Sequence, residues 1–368
     1  MRVSRVTARS FRSYERAEAS LGPGLTVVVG PNGAGKTNLL EAVYFGCTGR
    51  SCRTSNEREV VRFGESVARV TVDVEDDDAG HRIEVGFEPG EPKHLRVDGA
   101  AVARLDAGSV RPLVSVFLPD RLDLVKGAPG GRRSHLDHLV GALWPARVET
   151  RAAYTRALAQ RNALLTRIRR GGTSPDQLDA WDAELARHGA ELMGDRARAA
   201  ELVAPPFAVT AGELGLPSPA ALRYRPRSHA SDAEGLRAEL AERRGSDLER
   251  GFTAHGPHRD DLELTHDSRP LRAYGSQGQQ RLALLALLFA ERQVLLAERG
   301  TAPLMLLDDV MSELDAARRR RLVDLVLGAG QAVITATDAD HVPGSRDPET
   351  RLLEVAAGEI RSAGGVPA

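Results

Sequence analysis

The chain lacks most of what would place it outside the cell or in a membrane. Its 368 residues hold two cysteines, Cys47 and Cys52, in one segment with no second pair, so neither a disulfide framework nor a zinc site is indicated. No apolar run approaches the ~20 residues that cross a bilayer, and residues 1–20 contain no apolar core of a secretion signal. These absences predict a soluble, cytoplasmic protein with no membrane partner. Aromatic residues make up 4% of the chain, too few for a base-stacking platform, and no helix-turn-helix or zinc module is visible. The formal net charge of −1 gives no overall field that draws in or repels nucleic acid. Lysine occurs only at Lys36, Lys93 and Lys126, all other fixed cations being arginine. What the chain does have is 42% hydrophobic residues over a length that suits two domains.

Lys36 stands in the most informative segment, Gly30-Pro31-Asn32-Gly33-Ala34-Gly35-Lys36-Thr37. The apolar run Leu25–Val29 precedes it, and Leu39, Leu40, Val43 and Tyr44 follow at helical spacing. Strand, glycine-rich loop and helix are the context that a phosphate-binding loop requires. Glycine lets the backbone wrap anionic oxygens, the loop N–H groups point inward, and the helix N-terminus adds its positive end. Lys36 then reaches the β- and γ-phosphates of ATP, and the Thr37 hydroxyl joins the shell of a Mg²⁺ ion.

Along the rest of the chain, residues 1–16 read as a β-rich entry, and Ala68–Val74, Ile83–Phe87 and Val114–Leu118 read as strands. The Asp76-Asp77-Asp78 run between the first two is read as a solvated turn rather than a metal site. Helical spacing begins near Leu136 and continues through Tyr154, Leu158, Leu165 and Ile168 to a break at Gly171-Gly172. Leu178, Trp181, Leu185, His188 and Leu192 then form a coiled-coil-like seam, ended by Pro205-Pro206. The expected architecture is an α/β head, residues 1–118 and 218–368, interrupted by a helical lobe, residues 119–217, built on a short antiparallel hairpin. Residues 279–298 read as a leucine-rich helix, Pro303–Leu307 and Ala332–Thr335 as buried parallel strands, and the tail after Gly344 as loose.

The strand ending Leu306-Leu307-Asp308-Asp309 offers Asp308 as a Mg²⁺ ligand and Asp309 as the residue that orients or deprotonates the attacking water. Ser276, Gly278 and Gln279 open the leucine-rich helix. By itself Ser276 is an N-cap. Beside a phosphate-binding loop, Ser276-Gln277-Gly278-Gln279 resembles the signature motif of ABC-type ATPases, in which one subunit's serine meets the γ-phosphate held by the other. Ser312-Glu313-Leu314-Asp315 matches the D-loop of that class. Thr335 and Thr337 fall where the class carries its switch histidine.

The resemblance extends to the RecF family of recombinational repair proteins. Its segments are Phe11-Arg12-Ser13-Tyr14, Lys36 through Ala42, Gly49-Arg50-Ser51, Pro119 through Pro129 with Arg132-Arg133 and Leu136-Asp137, Thr253 through Leu262, Gln279-Gln280-Arg281 and Asp308 through Asp315. They run in order over most of the chain. His135 and Cys52 depart from the family pattern, where an aromatic and a histidine are usual. The resemblance implies an SMC-like ATPase head with a helical lobe, Asn38 added to the nucleotide contacts, and an ATP-dependent homodimer. It also implies binding to double-stranded and gapped DNA, and cooperation with RecR and RecO to place RecA on strands coated by single-strand binding protein. Three arginine clusters are candidates for phosphate contact: Arg132-Arg133, Arg167-Arg169-Arg170 and Arg318 through Arg321. A transporter ATPase subunit, a scaffold that binds ATP without hydrolysing it, and a metabolic kinase remain as rivals.

Overall fold

The computed structural model describes residues 1–76, 79–105, 110–119, 122–217, 219–312 and 314–362. The chain opens with β1 (Arg2–Phe11) and β2 (Tyr14–Ser20), then β3 (Leu25–Val29), which leads through the glycine loop into α1 (Lys36–Thr48). Next come β4 (Ala68–Glu75), β5 (Gly80–Phe87), β6 (His94–Val97), β7 (Ala100–Ala101) and β8 (Val114–Phe117). A helical stretch follows: α2 (Asp123–Lys126), α3 (Pro129–Leu143), α4 (Val148–Arg169) and α5 (Leu178–Glu213). After it run β9 (Ala220–Arg225), α6 (Ala233–Glu242), α7 (Arg244–Arg250), β10 (Asp261–His266), β11 (Arg269–Pro270), α8 (Leu271–Tyr274) and α9 (Gln277–Arg299). The chain closes with β12 (Leu304–Leu307), α10 (Ala316–Leu327), β13 (Ala332–Ala336), β14 (Arg351–Ala356) and β15 (Glu359–Ser362).

Packing divides these elements into two units, Met1–Arg121 with Leu295–Ala368, and Leu122–Val294. The first unit holds two six-stranded sheets. One is antiparallel, in the order β2-β1-β4-β5-β6-β7; the other runs β15-β14-β3-β13-β12-β8 and is parallel except for its β15 edge. Strict alternation in β4 and β5 sends Val70, Val72, Val74, Ile83 and Val85 to one face, while β3 and β13 are buried throughout, as suits a sheet covered on both sides. α1 packs on β1, β4 and β5 of the first sheet and on β8 and β13 of the second. The buried amide of Gln331 ties the same two layers, bonding the N–H and carbonyl of Val3 and the carbonyl of Gly22. The described part of the tail after Gly344, residues 345–362, is not loose. It returns as β14, beside β3, because Leu353 and Val355 complete the core on that side.

In the second unit α4 and α5 form the expected hairpin. Leu164 and Leu165 meet Leu178 near the turn, and Tyr154 meets Leu192 and Met193 farther out, which fixes the antiparallel sense. The hairpin is longer than expected, 22 and 36 residues, because α5 continues through Pro205 and Pro206 to Glu213. Burial of Val203, Phe207, Ala211 and Leu214 holds the helix together past the lost backbone hydrogen bonds. The expected lobe boundary at residue 217 also moves: residues 219–294 pack with the helices. β9 lies on α5, β10 on α3, and α6, absent from the periodicity reading, lies on α5.

Buried polar contacts cement this unit. Arg161, fully buried, bridges Asp182 and Asp247 at 2.6 and 2.7 Å. The Thr253–Leu262 segment is an internal hub: His255 meets Glu239, Asp260 accepts from Tyr224 and the Arg227 N–H, and Asp261 takes a bidentate bond from Arg132. His135, one of the departures from the family pattern, pairs with Glu291 at 2.6 Å. Asp77, Asp78 and Asp120 lie outside the described residues; Asp76 and Ala79 bond at the base of the expected turn.

His258 in this hub accepts from Tyr154 Oη at Nδ1 and donates from Nε2 to the Thr253 carbonyl. Burial pushes its pKa down to about 4, with Arg259 and Arg133 acting in the same direction. An unfolded histidine titrates near ~6.5, so between that value and the folded one the unfolded chain binds more protons. Stability contributed by neutral His258 is therefore complete above that window and is lost as pH falls through it, by up to about 3 kcal/mol. Urea midpoints should drop between about pH 7 and about pH 5, and His258→Gln should flatten that drop while lowering stability at neutral pH. An unchanged slope in the variant would contradict the assignment.

Candidate functional site

The glycine loop takes the shape that the sequence motif requires, with a different reason at different glycines. A Cβ on Gly30 would sit 2.2 Å from the Val355 carbonyl oxygen, so the approach of β14 excludes any side chain there. Gly35 caps α1 in the left-handed region, φ 118°, and its carbonyl accepts from Tyr14 Oη at 2.9 Å. The Ala34 N–H bonds the Pro31 carbonyl at 3.2 Å, whereas the N–H groups of Gly33, Gly35, Lys36 and Thr37 have no carbonyl partner among the described residues. Four unpaired donors at and before a helix start are a cradle for an anion. Lys36 leads that helix, and its Nζ donates to the carbonyls of Gly30 and Pro31 at 2.8 and 3.0 Å. Burial lowers the Lys36 pKa, against the opposing charges of Asp308 and Asp309. Pro31, Asn32 and Gly33 are exposed at the loop tip.

Asp308 directly follows β12, is 8% exposed, and is brought by the sheet to the loop across an intervening strand, since β13 lies between β3 and β12. Thr37 Oγ1 donates to both Asp308 oxygens at 3.0 and 2.9 Å. From β13, Thr335 Oγ1 donates to Asp308 Oδ1 at 2.7 Å and accepts from the Asp309 N–H at 2.9 Å. Burial raises the Asp308 pKa, and the Thr335 and Thr37 hydroxyls oppose the rise. Asp309 holds a left-handed φ of 42°. The Thr335 hydroxyl is thus spent inside the protein, while exposed Thr337 lies 3.3 Å from His341 Nδ1. A hydroxyl and a carboxylate in contact fit Mg²⁺, which takes one or two protein oxygens and fills its shell with water and phosphate. The unpaired loop N–H groups fit the phosphates themselves.

Sequence reasoning missed the supports of this loop. Arg12, between β1 and β2, makes a bidentate bond to Glu41 of α1, 2.8 Å on each arm. Ser51 and Arg53 bond the same buried carboxylate at 2.5 and 3.3 Å. Asn38, expected among the nucleotide contacts, has its side chain joined to Ser13 and Arg53. Residues 29 apart with no local pattern give no signal in the sequence; the Phe11–Tyr14 and Lys36–Ala42 segments had pointed to family, not to each other.

Ser276, Gly278 and Gln279 belong to the second unit. Ser276 Oγ accepts from the Gln279 N–H at 3.2 Å, and Gln279 Oε1 accepts from the Ser276 N–H at 2.8 Å, a reciprocal capping box. Ser276 and Gly278 are exposed at the start of α9. In the D-loop segment Ser312 Oγ donates to the Asp309 carbonyl, Asp315 caps α10, and Glu313 lies outside the described residues. Arg132 is buried against Asp261 and is removed from the candidates for phosphate contact.

Comparison with known proteins is consistent along the whole chain. A model of the RecF/RecN/SMC N terminal domain matches residues 2–356. The DNA replication and repair protein RecF of Streptomyces avermitilis is 41% identical over 362 residues, covering 94% of this chain and 95% of that protein. That of Anaeromyxobacter sp. (strain Fw109-5) is 39% identical over 370 residues, covering 98% and 99%. A solved structure of the recombination mediator protein RecF with ATP, from the RecFOR pathway, has a TM-score of 0.86 at 28% identity, covering 99% of this chain and 98% of that one. An Smc head domain from Pyrococcus furiosus, at 0.60 and 18% identity over 98% and 96%, shares the fold.

Thr335→Val removes a donor to a buried carboxylate and an acceptor for the Asp309 N–H together. The loss should be about 2 kcal/mol in urea denaturation, with Thr335→Ser close to the parent. A valine variant as stable as the parent would refute the role given to this hydroxyl.

Proposed function

The chain belongs to the RecF family of DNA replication and repair proteins, and on that footing we propose that it is an ATP-gated dimeric clamp for duplex and gapped DNA. In this reading it works with RecR and RecO to place RecA. The observation that carries the reading is the contact of Thr37 with Asp308 beside a loop whose N–H groups are unpaired. Those N–H groups take the phosphates of ATP, and Lys36 exchanges the carbonyls of Gly30 and Pro31 for phosphate oxygens. Thr37 and Asp308 hold the metal. A bound Mg²⁺ supplies neutralisation of the charge on the phosphoryl oxygens. Asp309 orients the attacking water. Its side chain is one methylene shorter than the glutamate usual in ABC-type ATPases, so turnover is slow and serves as a switch.

Ser276 of a second copy closes over the γ-phosphate. Its exposure at the N-terminus of α9, with the helix dipole behind it, supports that role. Tyr274 is also exposed in the same segment.

Sizing the protein with ATP or ADP, each with and without a gapped duplex, tests the clamp. ATP should give dimers, and ADP monomers. Lys36→Ala should lose ATP binding, whereas Ser276→Arg should bind ATP normally and form no ATP-dependent dimer. Dimers of normal stability in Ser276→Arg would end the shared-site reading. Phosphate release with and without gapped DNA separates a hydrolysing switch from a scaffold that only binds ATP.

A further inference from the structure

The outer face of the antiparallel sheet in the first unit carries ion pairs in two of its cross-strand rows and none in a third. In β1, Val6 and Ala8 face the core, which turns Arg5, Thr7 and Arg9 outward. Register then sets the rows. Arg5 lies opposite Ser20 and Asp73, and Asp73 opposite Arg82. Thr7 lies opposite Glu18 and Thr71, and Thr71 opposite Glu84. Arg9 lies opposite Arg16 on one side and Arg69 on the other; Arg69 faces Gly86, and Gly86 faces His94.

The other rows set acids against arginines, with Glu84 facing Arg96 by register. Arg5 meets Glu18 at 3.0 Å, Arg82 meets Asp73 at 2.7 Å, and at the strand ends Arg2 meets Glu75 at 3.1 Å. In the last row Arg16, Arg9, Arg69 and His94 are all exposed, and no side-chain hydrogen bond or ion pair to any of them is present among the described residues. The acids nearest by register stand on the diagonals: Glu18, already engaged by Arg5, and Glu84 beyond Thr71. Like charges directly opposite one another destabilise a sheet. This sheet places acids against its arginines elsewhere, so an unpaired row is a cost that folding alone does not explain.

We propose that the Arg16–Arg9–Arg69–His94 row is the surface that grips the phosphate backbone of duplex DNA, which rests on the DNA-binding reading above. Strands ~4.8 Å apart space the three guanidinium stems over roughly 10 Å and the whole row over roughly 19 Å. One strand of a duplex carries a phosphate every ~3.4 Å of axis, so the row spans about five of them. Arginine suits phosphate because its planar fork bonds two oxygens at once. The row and its neighbours Thr7, Thr71 and Gly86 include no apolar side chain, whereas the centre of a protein–protein contact is enriched in aromatic and apolar groups. The face therefore fits nucleic acid over an acidic protein, and it reads no sequence.

The test is the triple variant Arg9→Gln, Arg16→Gln, Arg69→Gln, which keeps polar groups on an exposed face and removes repulsion, so its melting temperature should not fall. Fluorescence anisotropy with a labelled duplex, protein loaded with ATP, is followed from about 50 to about 200 mM salt. Removing three phosphate contacts should reduce the slope of log K against log salt by about 2.7. The parent should accordingly lose about 40-fold more affinity over that range than the variant. ATP binding should be the same in both. The control Arg5→Gln, Arg82→Gln removes paired arginines from the same face and should keep the parental slope. A triple variant with the parental slope, or a control that loses as much as the triple, overturns the assignment while leaving DNA binding by the protein intact. A parent that binds no duplex overturns the DNA reading, and this surface with it.

Discussion

A nearly buried carboxylate held by two hydroxyl donors organises the candidate site. Asp308 follows a strand that is not a neighbour of the loop strand, because β13 lies between β12 and β3. The parallel ladder brings the end of β12 to the same edge as the loop, and two hydroxyls close the remaining gap: Thr335 on the intervening strand and Thr37 on the first turn of α1, each donating to the same carboxylate. Burial favours the protonated acid, and these donors favour the ion. The hydroxyl of Thr335 has a second duty, since it fixes the Asp309 backbone in its left-handed conformation. One threonine thus sets both the nearly buried carboxylate and the backbone of the residue beside it.

The loop was the most legible part of the chain because its constraints are local. Close approach, left-handed backbone and a helix start all fall within eight residues, and each restricts residue type strongly. Asp308 and the strands around it were legible for the same reason. The supports were not. Arg12 and Glu41, and Tyr14 and Gly35, meet only after the sheets form, and pairs so distant leave no period in a single sequence. The errors of boundary have physical causes as well. Pro205 and Pro206 are strong breakers alone, but a helix that buries Phe207 and Ala211 beyond them continues. The C-terminal tail, rich in small and charged residues, reads as loose until β3 supplies a partner for β14.

The Thr253–Leu262 segment, which carried part of the family resemblance, forms an internal hub whose histidines and aspartates satisfy one another. Arg132, in a basic pair, is likewise consumed by Asp261. Arg133 beside it donates to the Asp260 carbonyl, whereas Arg167, Arg169, Arg170 and Arg320 of the other two clusters are exposed. The unpaired arginines on the first sheet come from β1, β2 and β4, and neither adjacency nor composition singles them out; the register does.

That register also ties the sheet face to the loop. Tyr14, whose hydroxyl holds the Gly35 carbonyl, is two residues from Arg16 on β2, and its cross-strand partner Phe11 is two residues from Arg9 on β1. Arg12, between those strands, locks onto Glu41 of the helix that begins with Lys36. The hairpin therefore has two fixed attachments to the phosphate loop and its helix, one to a backbone carbonyl and one to a buried carboxylate. A shift of the loop relative to the hairpin strains a hydrogen bond and a bidentate ion pair. The β1–β2 hairpin is thus tied to the loop and its helix by two directed polar contacts as well as by the apolar core they share.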